Sequence, residues 1–163
     1  MSNQQDVSKT IQNLEAAFAG ESMANRKYLY FAKQCRALGD DITAAIFEKT
    51  AAQETAHAFG HLELLFPSNT LTVEKMLQLA IDGETYEYTK MYPEFRNTAI
   101  AEKNAAAVAE MDEQIEESKE HAAMFAKILA TAEKRFAALA KVEKRHAQHY
   151  QDALSASKIT ITE

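Results

Sequence analysis

Apolar residues recur at steps of three and four positions along most of the chain, a spacing that predicts long amphipathic α-helices. The first apolar stripe runs from Ile11 to Cys35 and stops before Gly39, which can take the left-handed conformation that ends many helices. An Asp after this glycine can cap a second helix, and Pro67 cannot continue that helix. The stripes predict helices over residues 8–38, 41–65, 72–103 and 105–154.

The boundary between the last two helices carries the weakest signal. From Arg96 to Glu163 there is no Gly or Pro, so this stretch should be helical, and Asn104 is its one plausible break. Pro93 should kink the third helix without necessarily ending it. Together these features predict an all-α fold in a single domain that spans residues 1–163.

Composition narrows the classes of protein that fit this helical pattern. With 163 residues, 47% hydrophobic and 26% charged, the chain can build one full-sized core and is unlike a disordered chain. A net charge of −6 without a basic stripe argues against nucleic acid as a partner. The single Cys35, the polar start and the lack of a long uncharged apolar run predict a cytoplasmic protein without a membrane segment.

Charged residues lie inside the apolar stripes, where a soluble helical protein would normally place apolar side chains. Burying several carboxylates without partners would cost more than the roughly 5 to 15 kcal/mol by which a domain is stable. Lysines and arginines fall on the flanks of the stripes, so bound metal ions are the simplest compensation. The stripe residues in question are Glu21, Glu54, His57, Glu84, Glu87, Glu143 and His146.

The spacing of these residues is typical of a two-metal site. Glu-x-x-His occurs twice, at Glu54 with His57 and at Glu143 with His146. Residues three apart share one helix face, so each motif can direct two ligands to one point. Two such motifs, with a Glu from each of two further helices, form the ligand set of di-iron and di-manganese bundles. Oxygen and imidazole ligands suit iron or manganese better than a structural zinc ion.

At these residues the sequence resembles the rubrerythrin family. The resemblance implies a ferritin-like four-helix bundle with a long crossover between its second and third helices. Coverage is near complete from Thr10 to Phe95 and resumes at about Glu133. The matching strings are Ala19-Gly-Glu-Ser-Met-Ala-Asn-Arg-Lys-Tyr28, Glu54-Thr-Ala-His-Ala58, Gly83-Glu-Thr-Tyr-Glu-Tyr88, Met91-Tyr-Pro-Glu-Phe95 and Ala140-Lys-Val-Glu-Lys-Arg-His146.

The resemblance also implies a role for each candidate ligand. Two iron ions would be bridged by Glu54 and Glu143, and His57 would exchange with Glu87 when the first iron changes oxidation state. The remaining implied roles are Glu21 and Glu87 on one iron, Glu84 and His146 on the other, and Tyr28 and Tyr92 as tyrosines that hydrogen-bond the ligand carboxylates. Manganese or a mixed pair of metals stays open from the ligand types alone.

The function implied by the resemblance is the reduction of hydrogen peroxide to water by a non-haem di-iron peroxidase, in protection against oxidative stress. Many relatives carry a rubredoxin-like part with two Cys-x-x-Cys motifs, which the single Cys35 excludes. Electrons would therefore come from an external donor, such as a rubredoxin-like protein or a reductase, to what we expect is a homodimer. Two alternatives stay open, namely a ferritin-like protein that oxidises and handles iron, and a helical interaction module without catalytic activity.

The length of the C-terminal region departs from the family pattern. The 56 residues from Glu87 to Glu143 exceed the spacing found in the family, which places an inserted helical segment within residues 97–128. An ungapped alignment puts Ser118 and His121 at the Glu-x-x-His position. Three explanations fit, namely a turn near Ile115, a domain-swapped dimer that receives Glu143 and His146, or ligation by Glu117 and His121. We favour Glu143 and His146, because Ser118 cannot bridge two cations.

Overall fold

The computed structural model describes residues 8–159, with side chains as far as residue 155. Within that range the chain is helical and contains no strand, which confirms the predicted all-α class. No described helix combines the length and the apolar character needed to cross a membrane. The helices are α1 (Lys9–Ala37), α2 (Asp41–Leu65), α3 (Val73–Tyr86), α4 (Tyr92–Ala101) and α5 (Ala105–Ile159), with a short 3₁₀ turn at Ser68–Thr70 and a π-helical turn at Glu87–Met91.

The described helices belong to two compact units, divided between Leu71 and Thr72. The first unit contains α1 and α2, and the second contains α3, the π-helical turn, α4 and α5. The predicted helix bounds agree with the observed ones to within a few residues. The single domain, the bundle and the swapped dimer stay predictions.

In the first unit, α1 and α2 form a helical hairpin whose turn has the predicted chemistry. Gly39 has a φ of 84°, the left-handed conformation expected of a glycine that ends a helix. The side chain of Asp40 accepts a hydrogen bond from the backbone N–H of Thr43 and so caps α2. Arg36 near the end of α1 forms a bidentate ion pair with Glu48 of α2. The hairpin is therefore closed by a turn, a cap and an ion pair.

Small side chains allow the helices of each unit to approach closely. Along α2 the buried residues Ala44, Ala51 and Ala58 repeat at seven-residue intervals, which places them on one helix face. In the second unit, Ala99 of α4 and Ala122 of α5 are buried. Larger apolar side chains lie at the edges of these contacts, where many stay exposed, as Met23 in α1 and Phe59 in α2 do.

The second unit turns back on itself at residues 102–104, where the sequence predicts the break. The roles of the residues differ from the prediction, because Lys103 takes the left-handed conformation with a φ of 58°. Asn104 instead caps α5, since its side-chain oxygen accepts a hydrogen bond from the backbone N–H of Ala107. α5 passes through Ile115 without interruption, so the alternative of a turn near Ile115 is wrong.

The irregularity predicted at Pro93 takes the form of the π-helical turn that precedes it. Proline has no N–H with which to satisfy the carbonyl of Thr89, and its ring needs extra space in the preceding turn. The five residues Glu87–Met91 provide that space by widening the helix. Because Glu87 begins this turn, the local distortion lies directly at a candidate ligand.

Candidate metal centre

The first unit brings three of the predicted ligands together. Glu21 extends from α1, and Glu54 and His57 extend from α2, one turn apart on the same face. One ligand atom from each side chain lies within 4.8 Å of those from the other two. Two carboxylate oxygens and an imidazole nitrogen at this separation form a donor set that suits a divalent iron ion.

The contacts within this cluster show how it is organised. His57 Nδ1 lies 2.9 Å from Glu54 Oε2 and 3.8 Å from Glu21 Oε2. The side chain of Glu54 is 16% exposed, whereas that of His57 is 58% exposed. The carboxylate is therefore held inside the hairpin, and the imidazole lies at the rim.

Asn25 connects the two helices directly beside the cluster. Its side-chain amide donates hydrogen bonds to the backbone carbonyl of Ala51 at 2.7 Å and to the hydroxyl of Thr55 at 2.9 Å. Asn25 follows Glu21 by one helical turn, and its two acceptors flank Glu54 in α2. These bonds fix the register of α1 against α2 and so position Glu21 relative to Glu54.

The second unit assembles a further set around Glu84 and Glu87. His121 Nδ1 of α5 lies 3.4 Å from Glu84 Oε1. Ser118 Oγ donates a hydrogen bond of 3.1 Å to Glu87 Oε2 and is 3% exposed. The two residues that the ungapped alignment put at the Glu-x-x-His position are therefore the ones that face Glu84 and Glu87.

Tyr92 lies in the electrostatic field of this second set. Burial first, and then the negative charges of Glu87, Glu84, Glu110 and Glu117, raise the pKa of the Tyr92 phenol above its ordinary value. The phenol is therefore protonated at neutral pH and can donate a hydrogen bond to a carboxylate. In the first unit Tyr28 is half-buried, and its ring centroid lies 5.8 Å from that of Phe47.

Glu143 and His146 lie further along α5, and both are exposed. Glu143 follows His121 by 22 residues of one continuous helix, a distance of about 33 Å at 1.5 Å per residue. The second unit thus brings His121 to Glu84 and leaves Glu143 and His146 away from it.

A comparison with protein families bears on these two sets of residues. The family model described as Rubrerythrin matches residues 12–129, which is most of the chain and includes Glu21 through His121. The chain belongs to the rubrerythrin family. Membership supports an iron-binding protein of the oxidoreductase type. The match ends before Glu143 and His146.

Curated relatives are consistent with this assignment. A rubrerythrin of Porphyromonas gingivalis is 36% identical over 139 residues, covering 77% of this chain and 68% of the relative. A nigerythrin of Nitratidesulfovibrio vulgaris is 35% identical over 114 residues, covering 63% of this chain and 56% of the relative. A rubrerythrin of the same bacterium is 38% identical over 106 residues, covering 58% and 56%. The chain thus spans about half to two thirds of the length of these relatives.

Solved structures of nigerythrin also match the chain. The structure of its fully reduced, all-ferrous state is 30% identical in sequence and gives a TM-score of 0.39. The match covers 80% of this chain and 70% of the nigerythrin chain. Its partially reduced state is 31% identical, covers 82% and 72%, and gives a TM-score of 0.40.

From the sequence, no role was assigned to two of the residues that the structure places at these sets. Asn25 lies within a string that matches rubrerythrins, but its hydrogen bonds to α2 depend on the register of the hairpin. Ser118 is an uncharged residue in a glutamate-rich stretch, and the ungapped alignment was the one indication of its position. Ser118 donates directly to a carboxylate, whereas Asn25 joins the two helices that carry Glu21 and Glu54.

Proposed function

We propose that this rubrerythrin is a non-haem di-iron peroxidase, which reduces hydrogen peroxide to water with electrons from an external donor. The observation that carries the proposal is the cluster of Glu21, Glu54 and His57. The carboxylates of Glu21 and Glu54 repel each other at this separation, and a bound cation would remove that repulsion. Family membership makes iron the expected cation.

The proposed ligands come from both units. Glu21, Glu54 and His57 form one set, and Glu84 and Glu87 supply carboxylates to the other. That the two sets serve one pair of iron ions is part of the proposal, and it rests on the ligand pattern of di-iron carboxylate proteins, which draw on four helices. Four carboxylates carry a charge of −4, which two divalent ions neutralise.

For the imidazole of the second set we propose His121, because it lies 3.4 Å from Glu84 within the same unit. Glu117, four residues before His121, can add a carboxylate from the same helix, and its charge already acts on Tyr92. Ligation by Glu143 and His146 stays a prediction. Because both lie far along α5 from Glu84, they would have to bind metal together with other carboxylates. The serine at position 118 supports Glu87 by donating a hydrogen bond to it.

Each of these groups has a task that its own chemistry allows. When bound, two ferrous ions would supply the two electrons that reduce peroxide and would stabilise the negative charge that develops on oxygen. Glu54 is held inside the hairpin and can keep a fixed position. His57 is more exposed and is free to approach or leave a metal ion, as the family resemblance implies. The protonated Tyr92 can donate a hydrogen bond to a neighbouring carboxylate.

The test is a comparison of two oxidants. Iron-loaded protein, reduced under anaerobic conditions, should be reoxidised by stoichiometric hydrogen peroxide much faster than by dissolved oxygen, as followed by visible absorption. A Glu63→Ala variant is the control and should keep the same difference between the two rates, because Glu63 is an exposed carboxylate of α2 outside the cluster. Equal rates with the two oxidants would contradict the peroxidase proposal and favour the iron-oxidising alternative.

The electron donor can be tested with the same preparation. A rubredoxin-like protein or a reductase, added with its own source of electrons, should sustain several turnovers with peroxide. A single turnover with every donor tried would contradict the proposed external supply. Manganese loaded in place of iron should give little peroxide turnover if iron is the working metal.

A further inference from the structure

The last part of α5 presents a surface that the second unit leaves uncovered. Residues at steps of three and four form one continuous seam along this helix, and every seam residue from Val108 to Ala132 is buried or half-buried. This part of α5 packs against α3 and α4. Beyond Ala132 the seam continues along residues that are all exposed, namely Phe136, Leu139, Glu143, His146, Tyr150 and Ala153.

The change from covered to exposed coincides with the start of α3. Val73, the first residue of α3, lines a shallow groove together with Phe136 and Leu139. The seam runs on past that point with large side chains, since Leu139 is 57% exposed and Tyr150 is 73% exposed. An alternation of three and four over this many turns has the period of a coiled coil, whose seam is covered by a second helix.

The exposed seam is complementary to itself in the antiparallel direction. When two copies pair about a twofold axis between residues 144 and 145, Glu143 of each copy lies opposite His146 of the other. A carboxylate then meets an imidazole twice at the centre of the contact. In the flanking layers, Leu139 lies opposite Tyr150 and Phe136 lies opposite Ala153. Each layer therefore pairs an aromatic side chain with a smaller apolar one.

Charge also selects the antiparallel direction. In a parallel pair, Glu143 would lie opposite Glu143 and His146 opposite His146, which sets like against like. Residues 134–149 contain five Lys or Arg side chains and a single acidic residue, Glu143. Four of the five cations lie on the side of the helix away from the seam, where they would stay in solvent. These are Lys134, Lys141, Lys144 and Arg145.

We infer that the C-terminal part of α5 is a homodimerisation helix, which pairs antiparallel with the same segment of a second copy through Phe136, Leu139, Glu143, His146, Tyr150 and Ala153. The inference does not depend on the proposed peroxidase activity or on bound metal. It assigns a role to the Glu143-x-x-His146 motif, which the second unit does not bring to Glu84. The contact is isologous, so it closes after two copies and does not extend into a filament.

Cysteine cross-linking tests the direction and the register of the pair. In a full-length Cys35→Ala background, Ala140 and Ala147 flank the seam on one side, and antiparallel pairing sets residue 140 of one copy beside residue 147 of the other. The double variant Ala140→Cys/Ala147→Cys should form a disulfide-linked dimer under mild oxidation. Each single variant should form less, because its two cysteines are offset along the helix axis by about 13 Å at position 140 and about 7 Å at position 147, against about 3 Å for the 140–147 pair. No cross-link in the double variant, or equal yields in the singles, would overturn the inference.

A pair of matched substitutions separates this contact from other modes of association. Leu139→Asp, made in the double-cysteine variant, places a charge in the seam and should lower the cross-linked fraction at least tenfold. Gln148→Asp adds the same charge on the far side of the helix and should leave the fraction unchanged. Circular dichroism of both variants checks that α5 is intact. Equal yields with Leu139→Asp and Gln148→Asp would overturn the inference, because the seam would then not be the surface through which the copies pair.

Discussion

The first unit brings three candidate ligands, Glu21, Glu54 and His57, to within 4.8 Å of one another, whereas the second unit pairs His121 with Glu84 at 3.4 Å. Both units support their carboxylates with a neutral side chain from a neighbouring helix. In the first unit the Asn25 side chain of α1 donates to the Ala51 carbonyl and the Thr55 hydroxyl of α2, and in the second Ser118 donates directly to Glu87. The first set therefore depends on the register of α1 against α2, and the second depends on a direct contact between side chains.

The largest expected effect comes from removing a carboxylate of the first unit. Glu54→Ala should lower iron affinity by at least about 100-fold, because even a supporting residue contributes about 10- to 100-fold. Peroxide-dependent turnover should fall in parallel. Equilibrium dialysis against ferrous iron measures the affinity, with Glu63→Ala as the control on the same helix. If the two variants bind iron equally well, the first set is not a metal site.

The next effect distinguishes the two histidines of α5. His121→Ala should lower iron affinity by about 10- to 100-fold, whereas His146→Ala should leave it unchanged. Both substitutions remove an exposed imidazole from the same helix, so each is the control for the other. Loss of iron from His146→Ala with normal binding by His121→Ala would support the prediction made from the Glu-x-x-His motif and would contradict our assignment.

A smaller effect is expected from the serine that supports Glu87. Ser118→Ala removes the hydroxyl donor from a buried position and should weaken iron binding about tenfold. Ser155→Ala is a matched control, since Ser155 is an exposed serine of α5 that bonds its own helix backbone. A change in affinity of the same size in both variants would show that Ser118 does not support the site.

The smallest effect concerns the ion pairs that close each unit. Arg36 joins α1 to α2 through Glu48, and Arg96 joins α4 to α5 through Asp112. Hydrogen bonding to Arg96 holds the pKa of Asp112 below its ordinary value of 3.8. Because the folded protein favours the charged carboxylate, this stabilisation is present above pH 3.8 and is lost as the pH falls through the lowered pKa.

We therefore expect Asp112→Asn to lower the melting temperature slightly at neutral pH and to have no effect once Asp112 is protonated in the wild type. Thermal unfolding followed by circular dichroism at several pH values measures this difference. Glu113→Gln, at the exposed neighbouring position, controls for the lost charge. A difference that persists unchanged at low pH would contradict the ion-pair explanation.

Most of the local structure could be predicted from the sequence, because its signals are local. Gly39 and Asp40 act through the backbone of the residues beside them, and they produce the expected turn and cap, whereas the π-helical turn before Pro93 was not predicted. Lys103 shows the limit of such reasoning, since it took the left-handed conformation that we expected of Asn104. The clustering of three candidate ligands in the first unit could also be anticipated, since each lies on a helix face set by regular spacing, and their binding of metal stays a prediction.

Which residues of α5 lie beside the other candidate ligands was harder to predict, because that depends on a neighbouring helix. Glu143 and His146 have better ligand chemistry than Ser118 and His121, and we favoured them for that reason. Spacing along one helix does not reveal where the neighbouring helix begins and ends. In the structure α3 begins at Val73, beside Phe136 and Leu139, and Glu84 lies at the level of His121.

The central proposal, that the chain binds a pair of iron ions, is tested most directly by metal stoichiometry. The protein would be titrated anaerobically with ferrous iron, and the bound iron would be measured after removal of the excess. We predict about two iron ions per chain, and a loss of binding in both Glu54→Ala and His121→Ala. Binding of far less than two iron ions per chain, after full anaerobic loading, would contradict the di-iron account.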